Sequence, residues 1–246
     1  TSDTKGQGSA TLKDAEFDII SLNDNTVLVE EKLYKKNEVV KTILTGIDGI
    51  ATTDADTLPY GKYRIEESKA PVGYLTDGAK PIEFEITEDG TIVDLTGEDT
   101  SIYNQVKRGD LEGVKIGAGT HQRLADVPFR ITSKTTGESH VIVTDDNGQF
   151  STSSDWASHK HNTNEGKTSE DGIWFGTSEP DDSKGALLYD TYLIEELRCE
   201  SNKGFELIPP FEIVVSRNNV TIDLGTLTDE YEKEISIHTT ATGKDG

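Results

Sequence analysis

The side chains best suited to hold a metal ion are the histidines of the second half of the sequence. His159 and His161 form a His-x-His pair in a polar segment, and imidazole nitrogen is a common zinc ligand. The further donors that could join them are His121, His140 and Glu165. A His-x-His pair in a polar segment is more often a solvated loop tip than a metal centre. We therefore predict no metal site.

Motifs of the common enzyme classes are missing from the sequence. There is no GxSxG elbow, HExxH pair, Walker loop or dinucleotide fingerprint, and Cys199 has no recognisable nucleophile signature around it. Because Cys199 is the only cysteine, an intrachain disulfide and a four-cysteine zinc site are excluded. We predict a protein that is not an enzyme and needs no cofactor.

The charge balance excludes two classes of partner. The 246 residues include 46 acidic and only 24 basic side chains, for a formal net charge of −22. Nucleic acids and anionic lipid surfaces attract clustered Lys and Arg, so we expect no nucleic-acid partner. No apolar run approaches the roughly 18–20 residues that cross a bilayer, so we expect no membrane insertion.

Apolar residues alternate with polar ones over short segments that end in Gly, Asn and Asp turns, which is typical of strands with one buried face. No segment has a sustained helical period. We therefore predict an all-β fold of sandwich type. The predicted strands are residues 15–22, 26–33, 60–68, 81–87, 91–95, 127–133, 190–197 and 211–216.

An internal repeat divides the sequence. The stretch LKDAEFDI (12–19) matches LADVPFRI (124–131), YRIEE (63–67) matches YLIEE (192–196), and TIVDL (91–95) matches VTIDL (220–224), in the same order. We predict two tandem Ig-like or prealbumin-like β-sandwiches at residues 1–107 and 108–240. The second contains an insertion at about residues 150–187, and residues 241–246 form a tail toward a following domain.

The motifs LKDAEF, YRIEE, APVGY (70–74) and IYNQ (102–105) resemble the Cna B-type, SpaA-like prealbumin fold of Gram-positive surface adhesins and pilins. The resemblance is looser in the second repeat, where SNKGF (201–205) replaces APVGY. It implies an extracellular, cell-wall-associated stalk segment, part of a longer rod, whose partners are neighbouring domains of the same surface protein.

The resemblance also implies self-crosslinking. In this family a first-strand Lys attacks a last-strand Asn, and a buried Glu shuttles the proton, so that an isopeptide bond forms. Glu67 matches the family's glutamate and Asn104 matches its amide donor. Lys5 is the candidate nucleophile, although it falls late for the first strand. The alternative is that Glu67 is a paired strand residue and Asn104 a turn former.

The second repeat departs further from the family pattern. Lys115 is its only candidate nucleophile, Glu196 matches the glutamate, and Thr239 stands where the amide should be. We therefore predict no isopeptide bond in the second domain. This repeat also resembles the domain that precedes threonine–glutamine ester-bond repeats, so Thr239 or Thr240 is a candidate hydroxyl donor for an ester bond.

The insertion contains both tryptophans, Trp156 and Trp174, among Ser, Thr, His and Asn. Aromatic rings among hydrogen-bonding side chains suit a host protein or a glycan, although both rings could instead fold inward and pin the insertion. We expect a structural stalk segment that projects a binding tip. The alternative is an adhesin module that binds a ligand through this insertion.

Overall fold

The computed structural model describes residues 7–156 and 172–233. Within these ranges the chain forms fifteen β-strands and no helix, which confirms the predicted all-β class. No helix able to span a membrane occurs in the same ranges.

The first repeat forms a four-stranded antiparallel sheet in the order β4-β1-β5-β6. Its strands are β1 (Glu16–Ser21), β4 (Val39–Leu44), β5 (Gly61–Lys69) and β6 (Ile82–Ile86). Alternate side chains of these strands, among them Tyr63, form a separate small apolar core. Alternation of buried and exposed side chains is clearest in β6, because successive side chains point to opposite faces of a sheet.

One predicted strand of the first repeat is a hairpin instead. Residues 26–33 fold into β2 (Val27–Val29) and β3 (Lys32–Tyr34), which pair with each other. Glu30 and Glu31 connect them with positive φ values of 47° and 67°. Two consecutive residues with positive φ form the tight turn that suits the twist of a hairpin. The apolar–polar pattern of residues 26–33 therefore belongs to two short strands with a turn between them, not to one strand.

The second repeat contains a four-stranded sheet with the matching order β9-β8-β12-β14. Its strands are β8 (Pro128–Ser133), β9 (Ser139–Val143), β12 (Asp190–Glu196) and β14 (Phe211–Val215). Because β8 and β12 carry the motifs that match β1 and β5, the strand order agrees with the sequence repeat.

A second sheet packs on this one. It has the order β10-β7-β15-β13, and its strands are β7 (Arg108–Gly117), β10 (Gln149–Ser151), β13 (Phe205–Glu206) and β15 (Thr221–Tyr231), with β11 (Leu187–Leu188) also paired to β7. Leu111 of this sheet and Phe129 of the first sheet belong to one buried core. The pairing of β7 with β15, the first and last described strands of the repeat, is parallel.

The predicted strand at residues 91–95 is not formed. These residues are irregular, and the Ile92 side chain is 87% exposed. A strand needs a neighbouring strand to satisfy its backbone hydrogen bonds, and in the described part of the chain no counterpart of β7 lies beside this segment. The alternation of TIVDL therefore did not suffice to predict a strand.

The two repeats meet at a joint built from backbone hydrogen bonds around Tyr189. The Ser9 N–H donates to the Tyr189 carbonyl at 3.0 Å, and the Tyr189 N–H donates to the Lys107 carbonyl at 2.9 Å. Lys107 in turn donates to the Gly73 carbonyl at 2.8 Å. Ala10 of the first repeat lies in the same apolar core as the second repeat.

Candidate functional site

Three ionisable side chains meet in the core of the second repeat: Lys115, Glu196 and Asp229. None of the three is exposed to solvent. The Lys115 Nζ atom lies 3.4 Å from Glu196 Oε2 and donates a hydrogen bond to Asp229 Oδ1. An ammonium and two carboxylates without water are costly to bury, so this cluster is unusual for a purely structural core.

Strand alternation brings Lys115 and Glu196 into the core. In β7 the side chains of Leu111 and Lys115 are buried, whereas Glu112 faces solvent. Glu196 is the last residue of β12, whose buried positions fall on every second residue. Each residue lies in the inward phase of its strand.

Asp229 reaches the core because β15 contains a bulge. The register between β15 and β7 shifts between Asp223 and Thr226, around Gly225, which has a φ of +66°. A one-residue shift moves the following side chains to the opposite face of a strand. Leu224 therefore lies in the inward phase before the bulge, and Asp229 lies in the inward phase after it.

The environment favours the neutral form of Asp229. The pKa of this carboxyl group is raised to about 6, mainly because the group is buried. The neighbouring Glu196 also raises this pKa, whereas the hydrogen bond from Lys115 lowers it. Its Oδ2 atom has no hydrogen-bond partner in the described part of the chain. A neutral carboxyl group in contact with a lysine amine, beside a second carboxylate, is an arrangement that can condense to an amide.

Glu67 and Asn104 come together in the first repeat. Asn104 Nδ2 donates to Glu67 Oε2 at 2.6 Å and to the Leu75 carbonyl at 3.2 Å. Burial raises the pKa of Glu67, and the hydrogen bond from Asn104 opposes this shift. The Glu67 Oε1 atom is buried without a hydrogen-bond partner among the described residues.

Several predicted residues lie outside the described ranges. They are Lys5, Thr239 and Thr240 of the crosslinking hypotheses, and His159, His161 and Glu165 of the metal hypothesis. Across residues 7–156 and 172–233, no group of His, Cys, Asp and Glu is arranged to hold a metal ion.

Asp229 was not among the residues that the sequence motifs indicated. The repeat alignment placed the reaction partner of Lys115 at Thr239, because it matched SIHT (236–239) with SIYN (101–104). The sequence does contain a signal: in TIDLGTLTDEY (221–231) the apolar alternation resumes in the opposite phase after Gly225. That change of phase places Asp229 on the same face as Leu227.

Trp174, predicted as a ligand contact, is 1% exposed and therefore offers no surface to a ligand. The Arg108 guanidinium lies 3.7 Å from the centre of its ring, and Trp174 Nε1 donates to the Ser178 carbonyl at 3.1 Å. This is the inward packing that the sequence left as the alternative. Trp156 is 50% exposed.

Comparisons with known proteins agree with this fold. Residues 2–101 match the family model of the SpaA prealbumin-like fold domain. No curated protein sequence matches the chain. Among solved structures, the Bacillus anthracis TIE protein is similar at 20% identity and a TM-score of 0.52 over 90% of this chain. The match covers 31% of that protein, so this chain spans about a third of its length.

Two further similar structures come from pili. The minor pilin GBS52 of Streptococcus agalactiae has 14% identity and a TM-score of 0.36, covering 94% of this chain and 88% of that one. A C-terminal fragment of the pilus adhesin SpaC from Lactobacillus rhamnosus GG has 16% identity and a TM-score of 0.43, covering 94% and 93%. The match of residues 2–101 to the SpaA prealbumin-like fold domain agrees with the resemblance that the motifs of the first repeat indicated.

Proposed function

We propose that the chain is a structural stalk segment of a Gram-positive surface protein, and that its second domain crosslinks itself through an isopeptide bond between Lys115 and Asp229. The observation that carries this proposal is the contact of these two side chains beside Glu196 in a core without solvent. The SpaA-type match of the first repeat supports the stalk role and the extracellular location. This proposal replaces the expectation that the second domain forms no such bond.

The reaction is a condensation. The neutral Lys115 amine attacks the Asp229 carboxyl carbon, a C–N bond forms, and the C–O bond to the leaving hydroxyl breaks. Glu196 accepts a proton from the amine and returns it to the departing oxygen, so that one water leaves and Glu196 is regenerated. Burial favours the neutral form of Asp229, because it disfavours the charged form of a carboxylic acid.

A bond at this place suits a protein that bears tension. Lys115 lies on β7 and Asp229 on β15, which pair in parallel as the first and last described strands of the domain. A force that enters at one end of the domain and leaves at the other would pass through the covalent bond rather than through the hydrogen bonds of the core.

The first domain carries two of the three groups for the ammonia-releasing form of this reaction. Glu67 is the acid and Asn104 the amide donor, held together by their 2.6 Å hydrogen bond. Lys5 remains the candidate nucleophile. The raised pKa of Glu67 favours the neutral acid that would protonate the leaving amide nitrogen.

Intact mass spectrometry and peptide mapping test the proposal. We expect the wild-type chain to be lighter than its sequence by one water from the second domain, with a further loss of one ammonia if the first domain reacts. After trypsin digestion, residues 109–123 should be joined to residues 218–233, because a bonded Lys115 is no longer a cleavage site.

Variants separate this bond from other causes. Lys115→Met, Asp229→Leu and Glu196→Gln should each restore the lost water. Lys134→Met is a matched control, because Lys134 contacts a carboxylate, Glu212, at 2.6 Å but on the exposed surface. A wild-type chain of full mass, or a water loss that persists in Asp229→Leu, would refute the Lys115–Asp229 bond.

Ligand binding through the insertion is a second candidate function, favoured by the half-exposed ring of Trp156. We propose a host protein or a glycan as the ligand class. Binding to a glycan or matrix-protein array that is lost in Trp156→Ala would support it. An array without signal, or signal that is unchanged in Trp156→Ala, would leave the spacer role alone.

A further inference from the structure

We infer that Asn202 is a positioning residue for this reaction: it holds the Glu196 carboxyl group beside Lys115 as the proton acceptor, and leaves Asp229 as the carboxyl group with fewer hydrogen-bond donors. This inference depends on the proposed crosslink, and it concerns a residue that belongs to neither reacting partner.

Asn202 is itself immobilised. It is completely buried, its Oδ1 atom accepts from the Cys199 N–H at 2.8 Å, and its Nδ2 atom donates to the Leu197 carbonyl at 2.9 Å. The same Nδ2 atom donates to Glu196 Oε1 at 2.9 Å. The turn after β12 therefore fixes both the position and the orientation of the amide.

Glu196 consequently receives donors on both of its oxygens. Asn202 Nδ2 donates to Oε1, and the Ile208 backbone N–H donates to Oε2 at 3.1 Å. Oε2 is also the oxygen 3.4 Å from Lys115 Nζ. Two N–H donors therefore hold the Glu196 carboxyl group in contact with the lysine amine, in the position from which it can accept a proton.

Asp229 has fewer donors. Lys115 donates to its Oδ1 atom, and its Oδ2 atom has no partner in the described ranges. When two neighbouring carboxyl groups share one proton, the proton rests on the group whose ionised form is less well solvated. That group is Asp229, which must be neutral to lose a hydroxyl.

The first repeat provides an internal comparison. Pro71 occupies the position of Asn202, and the turn is the same in both repeats: the Pro71 carbonyl accepts from the Tyr74 N–H at 3.1 Å, and the Asn202 carbonyl accepts from the Phe205 N–H at 3.2 Å. Proline has no amide side chain to offer, and Glu67 Oε1 is left without a partner among the described residues. The two repeats thus prepare their glutamates differently: Glu67 to give a proton to an amide, and Glu196 to take one from lysine.

The test follows the rate of crosslinking against pH. Full-length chain is made by cell-free translation, recovered unreacted in urea and refolded by dilution at a series of pH values. Intact mass then gives the fraction that has lost the water of the second domain. Asn202→Asp is the main variant, because it keeps the shape and the acceptor but replaces the donor to Glu196 with an oxygen.

We expect Asn202→Asp to slow crosslinking roughly 10- to 100-fold, the effect of losing one hydrogen bond to a charged group. We also expect its pH optimum to move upward, because Glu196 then competes with Asp229 for the shared proton. Asn202→Ala should show the same direction of change. Asn219→Asp adds the same charge at an exposed turn and should match the wild type.

The outcomes separate the two proposals. If wild type never loses the water, the crosslink itself is refuted. If wild type reacts and Asn202→Asp reacts at the same rate, or is slowed equally at every pH without a shift of its optimum, the crosslink stands and the role of Asn202 is refuted. Should Asn202→Asp fail to fold by circular dichroism, the pH profile of Asn202→Ala decides.

Discussion

Gly225 interrupts the alternation of β15 before Asp229 and thereby turns that carboxyl group into the core. Up to Leu224 the half-buried positions of the strand have even numbers, and from Leu227 onward the inward positions have odd numbers. Gly225 adopts a φ of +66° at the shift, a conformation that costs glycine little and most other residues more. The reactive pair therefore depends on a backbone irregularity as well as on three side chains.

Gly225→Val should abolish the crosslink. A β-branched residue rarely adopts a positive φ, so this variant disfavours the bulge; a strand of the same length without the bulge continues in one phase, and Asp229 turns to the solvent face of β15. We expect an intact mass without the water loss that we assign to the second domain. Gly225→Asn is the matched control, since asparagine tolerates a positive φ and keeps the bulge, and it should crosslink like wild type. A Gly225→Val variant that still joins Lys115 to Asp229 would contradict this account of the bulge.

The pH dependence of stability should reveal Asp229 when its partner is removed. In Lys115→Met no isopeptide bond can form. The variant also loses the hydrogen bond from Lys115, which lowers the pKa of Asp229, so the pKa of Asp229 in the folded state should exceed about 6. An acid whose pKa is higher in the folded state binds more protons there than when unfolded. The free energy of unfolding should therefore fall as pH rises from about 4 to above 6, by about 1.36 kcal/mol for each unit of pKa shift.

Urea unfolding of Lys115→Met at several pH values between about 4 and 8 measures this slope. The double variant Lys115→Met/Asp229→Leu lacks the titrating group and should show a smaller pH dependence. Equal slopes in the two variants would mean that Asp229 binds as many protons in the folded as in the unfolded state, and would contradict a pKa raised by burial.

The sequence predicted the site residues that lie in short motifs, but not the residue whose placement depends on a distant part of the chain. Glu67, Asn104 and Glu196 were found because they lie in short motifs with regular spacing. Asp229 was not found, because its orientation depends on a bulge and its partner lies 114 residues earlier on a parallel neighbour. The strand predicted at residues 91–95 failed for a related reason, since a strand requires a hydrogen-bonding neighbour that its own sequence does not specify.

Arg108 should stabilise the second domain by anchoring the end of its insertion. Its guanidinium donates to the Phe175 carbonyl at 2.8 Å and to the Gly185 and Ala186 carbonyls at 3.3 Å, and it stacks on Trp174. Arg108→Leu removes this donor from all three carbonyls; the Ala186 carbonyl keeps the Phe175 N–H at 3.0 Å, and each buried group left unsatisfied costs roughly 1–3 kcal/mol. We expect a loss of about 3 kcal/mol or more in urea unfolding followed by tryptophan fluorescence.

The control for this variant is Arg130→Leu. The Arg130 side chain is 46% exposed and only 4.0 Å from Glu195, so its loss should cost no more than about 1 kcal/mol. If Arg108→Leu and Arg130→Leu are equally stable, the buried guanidinium does not hold the insertion in place.

The joint between the repeats should open when Gly73 gains a side chain. Gly73 has a φ of +91°, and a Cβ atom there would lie 2.5 Å from Ala10 Cβ and 2.9 Å from Tyr189 Cδ1. Gly73→Ala must therefore displace Ala10 and the ring of Tyr189, a residue whose backbone links Ser9 to Lys107. Because the displaced joint exposes the backbone near Lys107, we expect trypsin to cleave the native chain after this residue several times faster, with the fragments identified by mass.

Gly78→Ala is the matched control: its φ of +95° imposes the same kind of backbone strain, but nothing lies within 4 Å of the new Cβ atom. Faster cleavage in Gly73→Ala alone would assign the rigidity of the joint to the contact with Tyr189, whereas equal cleavage in both variants would show that this contact does not hold the repeats together.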